Sequence, residues 1–190
     1  GPVPASAMSG GGMRLLVAAL TLAGVSLGAL EIAIPAFAEQ EGSRGDAGWL
    51  FALWALGSLV GGLWYGAREW RMAPGRRYLI LTGVLALGMA PLPFAGSIPV
   101  FAGLVVVAGF GLAPSTAAAY SLVGRLAPEG ASTESYGWQI VGAVVGGACG
   151  AWLGGIFVDE LSVEAALALA PIAAACALLV ALAGRRALTA

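Results

Sequence analysis

The chain has 190 residues, of which 59% are hydrophobic and 10% charged, with a net charge of −1. A soluble domain carries about 25% charged residues, so this composition excludes a water-soluble protein and describes one that crosses a membrane repeatedly. All nine basic residues are Arg, and the lack of His removes Ser-His and Cys-His nucleophile pairs and most transition-metal sites.

The first twelve residues, "GPVPASAMSGGG", read as a Gly/Ser/Pro linker or an expression remnant outside the fold. A membrane span takes about 20 apolar residues. Six stretches qualify, at 13–38, 49–67, 78–95, 99–123, 136–158 and 163–183, which leaves 187–190 as a C-terminal tail. The expected fold is all-α, with six transmembrane helices and no soluble domain between them.

Span 1 holds Thr21, Ser26 and Glu31, with Pro35 four residues beyond the acid. At 1.5 Å per residue, Glu31 lies roughly 10–12 Å inside the end of its span. A charge near mid-membrane costs about 2.5–3.5 kcal/mol, so this carboxyl must face a wet cavity, find a partner or be protonated. Pro35 has no N–H, so the carbonyl of residue 31 loses its donor and the helix can bend there. A carboxyl and a free carbonyl at one residue suit a proton or a cation, and Glu31 is the leading candidate for proton coupling or substrate binding. A water-exposed acid with only a structural role is the alternative.

Span 2 has Trp54 and a glycine stripe of Gly57, Gly61, Gly62 and Gly66, followed by Arg68, Arg71, Arg76 and Arg77. Span 3 offers only Thr82. Span 4 runs through "GFGLAP", where Pro114 marks a candidate hinge, into Ser115, Thr116, Tyr120 and Ser121. Span 5 begins near Glu134, an acid suited to the helix macrodipole after Ser132 or Thr133, or to a bond with Arg68 or Arg125. It continues through Trp138 and Gln139 into Gly142, Gly146, Gly150 and Gly154, spaced i, i+4. Span 6 adds Pro171 and Cys176. Cys149 and Cys176 read as small packing residues.

Eight Arg fall on the side of the N-terminus and one, Arg44, on the other, while the opposite loops carry Glu39, Glu41, Asp46, Asp159, Glu160 and Glu164. Basic residues stay cytoplasmic, which puts both termini in the cytoplasm of a multi-pass protein. The lack of Lys and Asn fits a GC-rich, bacterial coding genome, and hence the bacterial inner membrane. Glycine stripes in the second helix of each triplet point to two inverted three-helix repeats, a design found in secondary transporters. Polar residues concentrate in the first helix of each triplet, which reads as pathway-lining, with the third as support.

The stretches "LGALEIAIPAFAEQEGS", "LGSLVGGLWYGAREWR" and "APEGASTESYGWQIVGAVVGGACGAWLGGIFVD" resemble parts of the C-terminal six-helix half of a major facilitator superfamily transporter of the bacterial efflux type. The resemblance implies alternating access between two six-helix halves. The first helices of each triplet would line the cavity and the second would form the interface between halves. It further implies proton-coupled efflux (antiport) of a small molecule, with Glu31, Ser115, Thr116, Tyr120, Gln139 and Trp54 at the coupling or substrate site. From the residues themselves, Arg68, Arg71 and Glu134 are candidates for cytoplasmic gating, with a topology signal at the headgroups as the alternative for the arginines, and Pro35 and Pro114 are candidate hinges. The partners implied are the lipid bilayer, protons, a small-molecule substrate and a second half, covalent or a homodimer; no cofactor, metal or nucleic acid is implied. One departure stands out: the family's loop motif sets Asp and Arg four and five residues after a Gly, and here Gly62 is followed by Gly66 and Ala67. The rival expectation is a non-transporting scaffold that oligomerises through its glycine-striped helices.

Overall fold

In a computed structural model, residues 6–42 and 45–189 are described; Arg44 and residues 1–5 of the linker-like stretch lie outside them. The elements are α1 (Gly11–Gln40), α2 (Asp46–Gly66), α3 (Pro74–Met89), α4 (Ile98–Phe110), α5 (Leu112–Leu126), α6 (Ser132–Glu160), α7 (Val163–Ala183) and α8 (Arg185–Thr189). Among the described residues, six stretches are long and apolar enough to cross a membrane, with α4 and α5 together forming the fourth, Ile98–Leu126. The chain is an all-α membrane protein of six spans.

Local chemistry sets the boundaries. Pro74 opens α3, where its missing N–H removes a donor that would lack a partner anyway. Ser162 caps α7 by accepting from the Ala165 N–H at 3.1 Å. Gly42 and Gly130 turn the chain with φ of +110° and +79°, a region side chains with a Cβ avoid. The cap of α6 is Ala131, not Ser132 or Thr133, and the Ser135 hydroxyl donates back to the Ala131 carbonyl instead. At the two extremes of the chain the helical pattern extends further than expected. α1 already starts at Gly11, and residues 187–189 of the expected tail belong to α8, whose Leu188 is buried.

The spans pair across the two triplets. α1 packs on α6 and α7, while α4 packs on α2 and α3. Glycine makes this possible. A Cβ at Gly146 or Gly150 would strike the backbone of Thr21 or Val25, and one at Gly142 or Gly154 would crowd Thr21 or Ala29. The α2 stripe behaves alike, with Gly57 and Gly61 seated on the backbones of Val106 and Phe110 in α4. Without hydrophobic drive between helices in lipid, such close backbone approach supplies the dispersion contact that holds them. These six stripe positions are therefore occupied by contacts within the chain.

Two apolar clusters fill the bundle. At the acidic end Phe37 stacks on Phe101 with centroids 4.2 Å apart, among Leu30, Ile34, Met89 and Leu167. At the arginine-rich end Met13, Leu16, Tyr78, Leu122 and Leu188 pack together. Ser26 is fully buried, which removes it from the expected pathway. Its hydroxyl donates to the Ala170 carbonyl of α7 at 2.7 Å and lies 3.2 Å from Met89 Sδ of α3. Apolar faces are left bare on α2, with Leu56, Leu59 and Leu63, and on α6, with Val141, Val145 and Trp152, and α3, α4 and α7 also expose Leu87, Val107 and Leu179.

Candidate functional site

A cavity of about 410 Å³ opens between α1, α5 and α6. Glu31 from α1, Thr116 and Tyr120 from α5, and Gln139 from α6 line it, on walls of Leu, Ala, Ile, Val and Gly. The local geometry of each helix explains the convergence. Close packing of Gly24 and Gly28 on Ala143 and Gly147 brings α1 and α6 together, so Glu31 and Gln139 share one space. α5 restarts after the helix break at Gly111, which sits hard against Leu85 of α3.

The four polar groups differ in state. Glu31 is exposed within the cavity, and among the described residues its carboxylate has no hydrogen-bond or ion-pair partner. Gln139 is buried at 4% exposure, and its Oε1 accepts no hydrogen bond. Thr116 donates to the Leu112 carbonyl at 2.9 Å, which leaves its lone pairs outward. Tyr120 stacks on Tyr136 with centroids 5.9 Å apart. No cationic side chain lines the cavity. It offers acceptors, a negative charge and an aromatic ring, which together suit a proton or a cationic, partly apolar ligand.

Other expected site residues lie elsewhere. Ser115 is buried, donates to the Leu112 carbonyl at 2.9 Å, and lines a smaller cavity on the α3 side. Trp54 packs on Gly109 at the α2–α4 contact, 6.2 Å from Phe51, outside the main cavity. Pro35 lies within an unbroken α1, and Pro114 is buried in the first turn of α5.

At the arginine-rich end Glu134 turns away from both Arg68 and Arg125. It accepts from the Ser6 hydroxyl and the Ala7 N–H, each at 3.2 Å, and from Trp138 Nε1 at 3.4 Å. Arg68 instead lies over the Trp64 ring, 4.7 Å from its centroid, while Arg71 is exposed. Arg77 stands 5.5 Å from the Tyr65 ring, which stacks on Trp70 at 5.1 Å. Trp70 Nε1 closes the loop on the Tyr65 carbonyl at 3.0 Å. An aromatic and guanidinium cluster thus occupies the loop that follows α2. The sequence carries its signal in "LWYGAREWR", where aromatics and Arg alternate at near-helical spacing.

The family model of the Major Facilitator Superfamily matches residues 16–188. No curated protein matches the chain.

Proposed function

Because the chain belongs to the Major Facilitator Superfamily, a family of transporters, we propose that it is one half of a proton-coupled secondary transporter that exports a small molecule by alternating access. The observation that carries the reading is Glu31: a carboxylate without a partner, inside a span, facing a cavity it shares with Thr116, Tyr120 and Gln139. In that setting the acid binds either a proton or a cationic substrate, and exchange between the two is the simplest basis of antiport. A carboxylate holding a proton has lost the charge that attracts a cation, so loading one ligand releases the other.

A second six-helix half, in the same polypeptide or from another copy, completes the cavity. The bare apolar face of α6 supports this, since α6 lines the cavity and exposes Val144 and Trp152. In this reading the protein sits in a bacterial inner membrane with its arginine-rich end in the cytoplasm, following the charge asymmetry of the loops. Arg68, Arg71 and Glu134 then lie at the cytoplasmic mouth, and the break at Gly111 beside Pro114 lets α5 tilt against α4.

The test is Glu31→Gln in the full-length transporter, reconstituted in liposomes with an imposed pH gradient. Gradient-driven transport is expected to drop to the level of protein-free liposomes, with folding unchanged by size-exclusion chromatography. Wild-type transport in the variant removes Glu31 from the coupling step and sinks the reading.

A further inference from the structure

Two buried hydroxyls outside the site described above lie near each other and make no well-formed hydrogen bond. Tyr78 and Thr82, one turn apart on the same face of α3, are each 2% exposed, and neither side-chain oxygen makes a hydrogen bond within the protein. Burying a hydroxyl without a partner costs about 1–3 kcal/mol, and native interiors rarely carry two such groups side by side.

Both line the smaller cavity, whose volume is about 40 Å³. A water molecule needs about 10–15 Å³ of space open to its centre, so there is room for at least one. The opposite wall supplies Ser115 and Thr116. Each of these already donates its proton to the Leu112 carbonyl, at 2.9 Å, and so presents only lone pairs. Tyr78 and Thr82, by contrast, have protons to give. Two protein donors facing two protein acceptors match one water molecule, which accepts twice and donates twice.

We infer that Tyr78 and Thr82 of α3, with Ser115 and Thr116 of α5, bind an ordered water. The two cavities share Thr116 and the apolar residues Leu20, Ala23 and Leu27 on their walls. The water therefore extends the polar lining of the main cavity sideways to α3, close to the arginine-rich end where Arg77 precedes Tyr78. This third helix is then part of the hydrated pathway as well as its support.

Pulsed X-ray hydroxyl-radical labelling of the full chain in lipid nanodiscs, read by mass spectrometry, tests this without requiring transport. Radicals form at bound water, so Tyr78 is expected to be modified severalfold more than Phe37 and Phe101, which are equally buried in the apolar cluster. Thr82→Val keeps the side-chain shape and removes one donor, and should lower Tyr78 labelling toward the level of those two rings. Labelling of Tyr78 in the unaltered protein no greater than that of Phe37 overturns the proposal and leaves a direct bond between the two hydroxyls as the explanation. Labelling that survives undiminished in Thr82→Val overturns the assignment of Thr82. Since the readout is independent of Glu31, failure of the transport reading and failure of the water site give different results.

Discussion

The two glycine-mediated helix pairs, α1 with α6 and α2 with α4, are built alike and are lined differently. In each, a stripe on the second helix of one triplet seats against the backbone of the first helix of the other. Beside α1–α6 lies the 410 Å³ cavity with its carboxylate, amide, hydroxyl and phenol. Beside α2–α4 lies a space of about 500 Å³ whose lining, including Val60, Val84, Leu87, Val107 and Phe110, contains no polar side chain. The same packing device therefore supports a polar surface on one side and a lipid-like one on the other. Glycine sets how close the helices come, and the residues flanking the stripe set what the resulting groove can hold.

Removing the device should hurt both sides equally, and this is the largest effect expected. Gly146→Val forces a side chain into the Thr21 backbone, and Gly61→Val does the same at Phe110. Each should cost about 3 kcal/mol or more, since backbone cannot move aside as a flexible side chain does. Gly103→Ala and Gly155→Ala, where the added methyl group meets open space, are the matched controls. Thermal unfolding followed by size-exclusion chromatography reads all four, and tolerance of one Val variant alone would break the equivalence of the two pairs.

A smaller effect separates the two linings. Val107 and Val144 are similarly exposed, at 56% and 65%, in the apolar groove and the polar cavity respectively. Val107→Glu places a charge against lipid and should lose about 3 kcal/mol. Val144→Glu opens onto water and should stay within about 0.5 kcal/mol of the parent. Equal losses in lipid nanodiscs would mean that the cavity is as dry as the groove. The smallest effect concerns the loop that closes the α2–α4 side. Arg68→Gln gives up the contact with Trp64, worth about 0.5–1 kcal/mol at an exposed site. Trp64→Leu also gives up the ring contacts with Trp70 and Phe110 and should lower the unfolding temperature further, with Arg68→Gln adding nothing to it in the double variant.

The spans are legible in the sequence because lipid demands about 20 apolar residues in a row, a signal that needs no tertiary knowledge. The break at Gly111 and the packed α8 are less so. Both depend on what the segment meets, Leu85 for the glycine and the cluster around Met13 for Leu188. Within the site, a polar residue in an apolar helix is easily noticed, yet which way it faces depends on helical phase. Ser115 and Thr116 are adjacent in sequence and point about 100° apart, so both reach the smaller cavity and only Thr116 also reaches the main one. Ser26 and Glu31 stand on roughly opposite faces of α1, the one buried among helices and the other open. Nothing in the sequence sets Tyr78 apart by itself, because a tyrosine near a span end also fits the membrane-interface belt. Its spacing from Thr82, one helical turn, was the available sign.

Ser26 has a mechanical consequence. Its hydroxyl grips a carbonyl of α7 and touches the sulfur of Met89 at a single height, in a medium where no water stands ready to replace a broken bond. Sliding α1 lengthwise by one turn, about 5.4 Å, would strip that carbonyl of its visitor. The rods bearing Ser26, Met89 and Ala170 are thus keyed like a splined shaft. Motion that keeps this bond swings all three together as one lever, and leaves the bending to the segments around it.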